Sequence, residues 1–145
     1  MIRPMKQAEA QLLGLIWLNA SLAAHDFIQP NYWRNNLEAM VTQYIPGAET
    51  YVYETDNEIV GFVSFVDAGT VAAIFVSPAK QGRGVGGKLI RFAKERYNKL
   101  SLTVYSKNMK SRAFYEKHGF IGRSEGLDEA TGEKEIIMTW TKESK

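Results

Sequence analysis

The sequence of 145 residues contains no cysteine. That absence excludes disulfide frameworks, thiolate metal sites and covalent catalysis through a cysteine thiol. A dominant charge is missing too: eighteen Lys and Arg against sixteen Asp and Glu leave a net charge of +2, evenly spread along the chain. Neither a nucleic acid nor a membrane surface is an expected partner on that balance. Long apolar runs are also lacking. Leu12–Leu18 spans seven residues, where a bilayer needs about 20. Arg3 and Lys6 before it, with Ala20, Ala23 and Ala24 after it, superficially resemble a secretory leader, but Glu9 interrupts the basic lead. An amphipathic helix with Leu12, Leu15, Ile16 and Asn19 on its core face explains the run better, and a cytoplasmic location is expected. What is present, 45% hydrophobic and 12% aromatic residues, suits one globular domain over 1–145 without room for a second.

The pattern along the chain alternates. Ile2–Met5 reads as a short strand, Gln7–Ala24 as a helix, and Tyr32–Tyr44 as a second helix with Asn31 as N-cap and Pro46-Gly47 as its stop. Tyr51–Glu54, Ile59–Val66 and Val71–Val76 are bounded by Asp56-Asn57, Ala68-Gly69 and Pro78, the signature of an antiparallel meander. Val85, Leu89, Ala93 and Tyr97 then recur at helical spacing before a strand at Leu100–Tyr105, so strand, crossover helix and strand imply a parallel pair. A last helix near Met109–Lys117 ends at Gly119, and two strands flank a turn at Asp128–Gly132. The expected fold class is α/β (α+β): a mixed, mostly antiparallel sheet of six to seven strands with helices on both faces.

The densest chemical signal is Gln81-Gly82-Arg83-Gly84-Val85-Gly86-Gly87-Lys88, between an apolar strand and an amphipathic helix. Glycines let the backbone approach a ligand closely, the free N–H groups of a helix N-terminus attract an anion, and Arg83 and Lys88 add positive charge. Four glycines in six positions exceed what a flexible turn requires. Three phosphate-binding patterns compete. Gly82, Gly84 and Gly87 fit a dinucleotide fingerprint, but no acidic residue follows at about 20 positions to meet a ribose. Gly82–Lys88 fits a nucleoside-triphosphate loop, but Leu89 stands where a hydroxyl must hold magnesium. Gln81-x-x-Gly84-x-Gly86 leaves nothing unexplained.

That loop, the order of elements and the block Asn108-Met109-Lys110-Ser111-Arg112-Ala113-Phe114-Tyr115-Glu116-Lys117-His118-Gly119-Phe120 resemble the GCN5-related N-acetyltransferase (GNAT) family over nearly the whole chain, in its small stand-alone bacterial form. The resemblance implies acetyl-CoA as cofactor and no metal. It implies that Gln81, Gly82, Arg83, Gly84, Val85, Gly86, Gly87 and Lys88 hold the pyrophosphate, that Ile74, Phe75 and Val76 pair with the pantetheine arm like an added strand, and that Asn108 contacts the cofactor. Tyr115 is implied as the acid that protonates the departing thiolate, for which a phenol with a reference pKa near 10 is suited. Phe114 and Phe120 read as core.

A general base is harder to name. Relatives that acetylate ribosomal-protein N-termini carry a glutamate where this sequence has Thr103, and others use one on the strand that reads Val71-Ala72-Ala73-Ile74 here. His25-Asp26-Phe27-Ile28 followed by Tyr32-Trp33 resembles a bacterial subgroup in which some members acylate protein lysines. On that likeness His25 is a candidate base, His25, Phe27 and Trp33 are candidate substrate contacts, and Asp26 or Asp67 is placed to attract a cation. His118 reads as a helix-end residue interacting with the dipole. The expected activity is direct acetyl transfer to a primary amine, on a small metabolite or on a protein lysine or N-terminus. The alternative is a non-catalytic acyl-CoA sensor or interaction module, against which Asn108 and Tyr115 argue. Trp33 and Trp140 are open to either a core or a homodimer interface.

Overall fold

The computed structural model describes residues 1–143. Its element order is β1 (Ile2–Pro4), α1 (Ala10–Ala24), α2 (Pro30–Ala39), α3 (Ile45–Gly47), β2 (Glu49–Thr55), β3 (Glu58–Val66), β4 (Thr70–Val76), α4 (Val85–Arg96), β5 (Lys99–Tyr105), α5 (Met109–Lys117), β6 (Ile121–Asp128) and β7 (Glu133–Thr141). The strands form one seven-stranded sheet in the order β1-β2-β3-β4-β5-β7-β6. All neighbours are antiparallel except β4 and β5, which run parallel as expected of a crossover through α4. No helix among the described residues is long and apolar enough to cross a membrane.

Each turn has a local cause. Asp56 and Asn57 both adopt positive φ, 53° and 62°, the tight hairpin geometry that Asx residues tolerate. Gly119, with φ 88°, ends α5 in the left-handed conformation. The meander and its turns therefore fall where the punctuation of the sequence puts them.

The first two helices differ from expectation. α1 buries Ala10, Leu13, Ile16, Trp17 and Ala20, and leaves Leu12 and Leu15 exposed at 43% and 41%. The helix is apolar nearly all round, so periodicity does not set its rotation; packing does. At Gly14 a Cβ would lie 2.4 Å from Val41 Cγ2, so the glycine marks the point where the second helical stretch crosses α1. α2 begins at Pro30 rather than after Asn31, because proline is pre-set for the first helical position and loses nothing by lacking an N–H there. Nor does the helix stop before Pro46: a π-helical turn, Met40–Tyr44, widens the spiral and leads into α3, whose first turn holds Pro46.

The two faces of the sheet carry separate cores. α4, with Leu89, Ile90 and Ala93 fully buried, covers one face over Val63, Phe65, Leu100 and Leu102. α1 and α2 cover the other through Leu13, Trp17 and Trp33, over Val52, Phe62 and Ala73. Trp33 and Trp140 both pack into these cores. The parallel pair is joined at one registered position, Thr70 opposite Ser101, and Gly69 locks it: its carbonyl accepts from the Ser101 N–H at 3.0 Å. With φ 112°, a Cβ at Gly69 would sit 2.3 Å from the Lys99 carbonyl oxygen. Gly69→Ala should therefore cost about 3 kcal/mol of stability, seen as a lowered urea midpoint; an unchanged midpoint would contradict this close approach.

Candidate active site

Beyond Thr70–Ser101, β4 and β5 diverge, and a cleft of about 830 Å³ opens between them. Val71–Val76 form one wall, Leu102–Tyr105 the other, and Ala20, Ala24 and His25 at the end of α1 contribute to the lining. The β4 edge facing the gap has no strand partner, which is the condition for an extended ligand to pair with it. The Gln81 side-chain amide donates to the Val76 carbonyl at 3.0 Å where that edge ends.

The glycine loop borders the cleft beside this edge. Gly82 and Gly84 have φ of 79° and 84°, values that side chains rarely adopt. Gly84 is the N-cap of α4 and offers no side chain to the first-turn N–H groups, so those donors are left for an anion. Ile74, Phe75, Val76, Gln81, Gly82, Gly84, Val85, Gly86, Gly87, Asn108 and Tyr115 all line the cleft. Arg83 and Lys88 do not: the Lys88 ammonium instead donates to the Tyr53 hydroxyl at 3.1 Å. Positive charge at the cleft comes from Lys80, Arg91, Lys110 and Lys117, which the sequence reading passed over. Helical spacing carried the signal, since Arg91 follows Gly87 by one turn on α4, and Lys110, Phe114 and Lys117 share one stripe of α5. Beside these cations, His118 stands at the C-cap of α5, the helix end where the sequence puts it. Burial first, then Lys94, Lys117 and Arg91, hold its pKa below the ordinary 6.5, so the ring stays neutral and packs 4.7 Å from Phe114.

At the other end, His25 stacks on Trp33 with centroids 5.0 Å apart and meets Phe27 and Tyr105 edge-on at 5.6 and 5.2 Å. His25 and Trp33 line the cleft, whereas Phe27 supports them without lining it. His25 also belongs to a buried hydrogen-bond chain that fixes its protonation. The Ser111 backbone N–H donates to Asn108 Oδ1 at 3.1 Å, so the Asn108 amide nitrogen faces His25 Nε2, 3.1 Å away. Nε2 must accept. The proton then sits on Nδ1 and is donated to the Ser21 carbonyl at 3.1 Å. A backbone group terminates each end, and only one polarity satisfies them both. Burial holds the His25 pKa below its ordinary value, opposed by the Ser21 bond. With its free lone pair committed to Asn108, His25 has no vacancy for a substrate proton, which is the physical objection to its candidacy as base. Asp26 is exposed, and neither it nor Asp67 lines the cleft.

Tyr115, on α5 between Phe114 and Phe120, has no hydrogen-bond partner for its hydroxyl among the described residues. Burial raises its pKa, so the phenol keeps its proton at neutral pH. Thr103 lies on the opposite wall. One carboxylate among the described residues lines the cleft, Glu135 of β7, opposite Tyr105 in the β5–β7 register. No motif marks it; strand alternation alone puts it on the Tyr105 face.

Comparison with known proteins places this geometry in a family. Residues 46–121 match the model for an acetyltransferase (GNAT) domain. The chain belongs to the GNAT acetyltransferase family. It is 33% identical over 140 residues to the peptidyl-lysine N-acetyltransferase YiaC of Escherichia coli strain K12, covering 97% of this chain and 96% of that protein. It is 35% identical over 127 residues to the peptidyl-lysine N-acetyltransferase YjaB of Salmonella typhimurium, covering 86% of each. Among solved structures, the apo form of YjaB from Escherichia coli superposes with a TM-score of 0.87 at 24% identity, over 99% of this chain and 98% of that one. The same GNAT fold is shared with the PaiA N-acetyltransferase of Thermoplasma acidophilum, solved with coenzyme A, at a TM-score of 0.77 and 15% identity over 97% and 98% of the two chains.

The hydrogen-bond chain predicts a pH effect on stability. His25 binds its proton less readily folded than unfolded, so its contribution is complete above 6.5 and is lost as pH falls through 6.5 toward the lower folded-state value. His118 shifts in the same direction. Urea unfolding between pH 7.5 and 5 should therefore show wild type losing more stability on acidification than His25→Gln, with the residual loss in the variant shared by His118 and the carboxylates of Glu9 and Glu49, which the fold also holds below their ordinary pKa. Equal losses would remove the buried neutral His25.

Proposed function

We propose that this chain is an acetyl-CoA-dependent N-acetyltransferase that transfers acetyl directly to the side-chain amine of protein lysines. The observation that carries the reading is the cleft itself, which combines an unpaired strand edge, a helix N-terminus without a side-chain cap, four lining cations and a protonated phenol. These fit a long anionic thioester: the loop from Gly82 to Gly87 with Lys80, Arg91, Lys110 and Lys117 takes the phosphates, and the Ile74–Val76 edge takes the amide-bearing arm. When bound, acetyl-CoA supplies an acetyl group activated as a thioester.

The residues of the chain do the rest. The backbone N–H near Val76 is assigned to polarise the carbonyl. Tyr115 holds a proton until sulfur departs and then donates it. Asn108 caps α5 and so fixes the helix that bears Tyr115. The absence of cysteine suits one direct transfer with both reactants bound. The lysine acceptor is supported by the 33% and 35% identical relatives named as peptidyl-lysine N-acetyltransferases, and by the aromatic walls of His25 and Trp33, suited to the methylenes and cation of a lysine side chain.

Acetyl-CoA at 100 times its dissociation constant should stabilise the protein by about 2.7 kcal/mol, read as a raised melting temperature, and Gly84→Asp should abolish the shift by repelling the pyrophosphate. An equal shift in that variant would refute the role of the loop. Tyr115→Phe should keep the shift and lower turnover of lysine peptides, followed by CoA release and peptide mass, by about 10²–10⁴-fold. Full activity would remove Tyr115 as the acid. Turnover of polyamines or aminoglycosides but not of lysine peptides would redirect the acceptor to small molecules, and cofactor binding without any turnover would favour a sensor.

A further inference from the structure

We propose that Glu135 is the general base of the transfer, its carboxylate removing a proton from the acceptor ammonium at the aromatic end of the cleft. The inference rests on the lysine reading above and adds to it the group that makes the amine nucleophilic.

Position and freedom single out Glu135. Three other carboxylates of the β6–β7 hairpin are occupied. Asp128 accepts from the Tyr105 hydroxyl at 2.6 Å and from the Ala130 N–H at 3.1 Å. Glu133 pairs with Lys107 at 3.1 Å, and Glu125 approaches Lys134 at 3.9 Å. Glu135 has no hydrogen-bond or ion-pair partner among the described residues, and it faces the cleft. Gly126 stands opposite it on β6, leaving that flank without a side chain. Tyr105 stands opposite on β5, and its ring touches His25 and Phe27. The carboxylate thus borders the aromatic walls that would hold the methylenes of a lysine, where a cation would otherwise be poorly solvated.

The charged and titratable groups around it are Tyr105 opposite on β5, Asp128 from β6 and Tyr32 from α2. Burial, and then the charge of Asp128, raise the pKa of Glu135. A lysine entering the apolar walls shifts downward from its reference value of about 10.4. Both movements narrow the gap that a proton must cross. His25, neutral and with its lone pair given to Asn108, does not compete for that proton.

The step balances without a further reactant. The ammonium gives one proton to Glu135, and the nitrogen lone pair forms the C–N bond at the thioester carbonyl. The C–S bond breaks, its electron pair leaving on sulfur, which takes the Tyr115 proton. The second nitrogen proton restores the Tyr115 phenol through solvent, and Glu135 releases its proton to water. One amide, one thiol and one free proton result.

The test compares wild type with Glu135→Gln, which keeps the shape and removes the base. Expected are an unchanged melting-temperature rise with acetyl-CoA and a fall of about 100-fold or more in kcat/KM for a lysine peptide at pH 7. The pH profile should change form as well. Wild type levels off above the Glu135 pKa, whereas the variant climbs tenfold per pH unit toward the pKa of lysine itself. A variant within about threefold of wild type with the same profile overturns the proposal. A readout without turnover uses carboxyl ¹³C titration of the cofactor-free protein. The Glu135 signal, identified by its loss in Glu135→Gln, should titrate above 4.5 and shift when lysine peptide is added; an ordinary titration insensitive to peptide overturns the assignment. If wild type binds acetyl-CoA yet acetylates no lysine peptide, the lysine reading fails. The same titration with n-butylamine then decides Glu135 alone, a shift supporting it and no shift overturning it.

Discussion

The site depends on β4 and β5 meeting at one point and then parting. Thr70 and Ser101 are the registered pair, and Gly69 brings the preceding turn against Lys99 closely enough that no side chain fits between them. From that fulcrum two parallel strands diverge with their C-terminal ends on the same side, each followed by a helix whose N-terminus borders the gap. Open α/β sheets bind ligands outside the carboxyl ends of parallel strands for this reason. Here one parallel pair inside an otherwise antiparallel sheet is enough. Antiparallel neighbours on both sides keep the rest of the sheet continuous while the middle stays open.

The two helix N-termini are capped by opposite chemistry, and the difference divides their roles. α5 begins at Asn108, whose side chain accepts from the Ser111 N–H and donates to His25. Its first turn is satisfied by the protein and tied to α1, across 83 residues of sequence. α4 begins at Gly84, with no side chain to cap it. On the proposed function, a closed cap suits the helix that bears Tyr115, and an open cap suits a helix that receives an anion. Charge follows the same division. Lys80, Arg91, Lys110 and Lys117 line the cleft on the helix and loop side, while Glu135, with Asp128 behind it, belongs to the hairpin at the aromatic end. A net charge of +2 conceals this separation because it sums eighteen basic and sixteen acidic residues over the whole chain.

Much of this was legible in the sequence where local chemistry decides the outcome. Turns at Asp56-Asn57 and Gly119 are matters of φ, the meander follows from the turn residues that bound its strands, and the parallel pair follows from a crossover helix between strands. The rotation of α1 was not legible. Leu12, Leu13, Leu15, Ile16 and Trp17 are all apolar, so hydrophobicity has no preferred side, and the phase comes from the crossing at Gly14 and Val41. The start of α2 at Pro30 was readable from proline chemistry, although Asn31 competed as a cap. For the cleft, motif spacing led to the loop and to the block around Asn108 and Tyr115. It did not lead to the direction of Lys88, which depends on the Tyr53 hydroxyl 35 positions away, nor to Glu135, which carries no motif and becomes visible when β7 is laid against β5.

His25 shows how the surroundings of a residue bear on the role that its type suggests. A histidine in a loop beside a cleft has the right pKa for a base, and nothing in the sequence separates that use from a structural one. Its two nitrogens decide between them. Each faces a group whose polarity traces back to the backbone, the Ser21 carbonyl on one side and the Ser111 N–H through Asn108 on the other. Protonating Nε2 would set a donor against the Asn108 N–H, and rotating the amide to relieve it would set a second donor against Ser111. The neutral ring is therefore bound to the cap of α5, and the orientation of the helix bearing Tyr115 is coupled to it. The proposed proton acceptor is instead a group with no such obligation, and among the cleft-lining residues described Glu135 of β7 is the carboxylate that meets that condition.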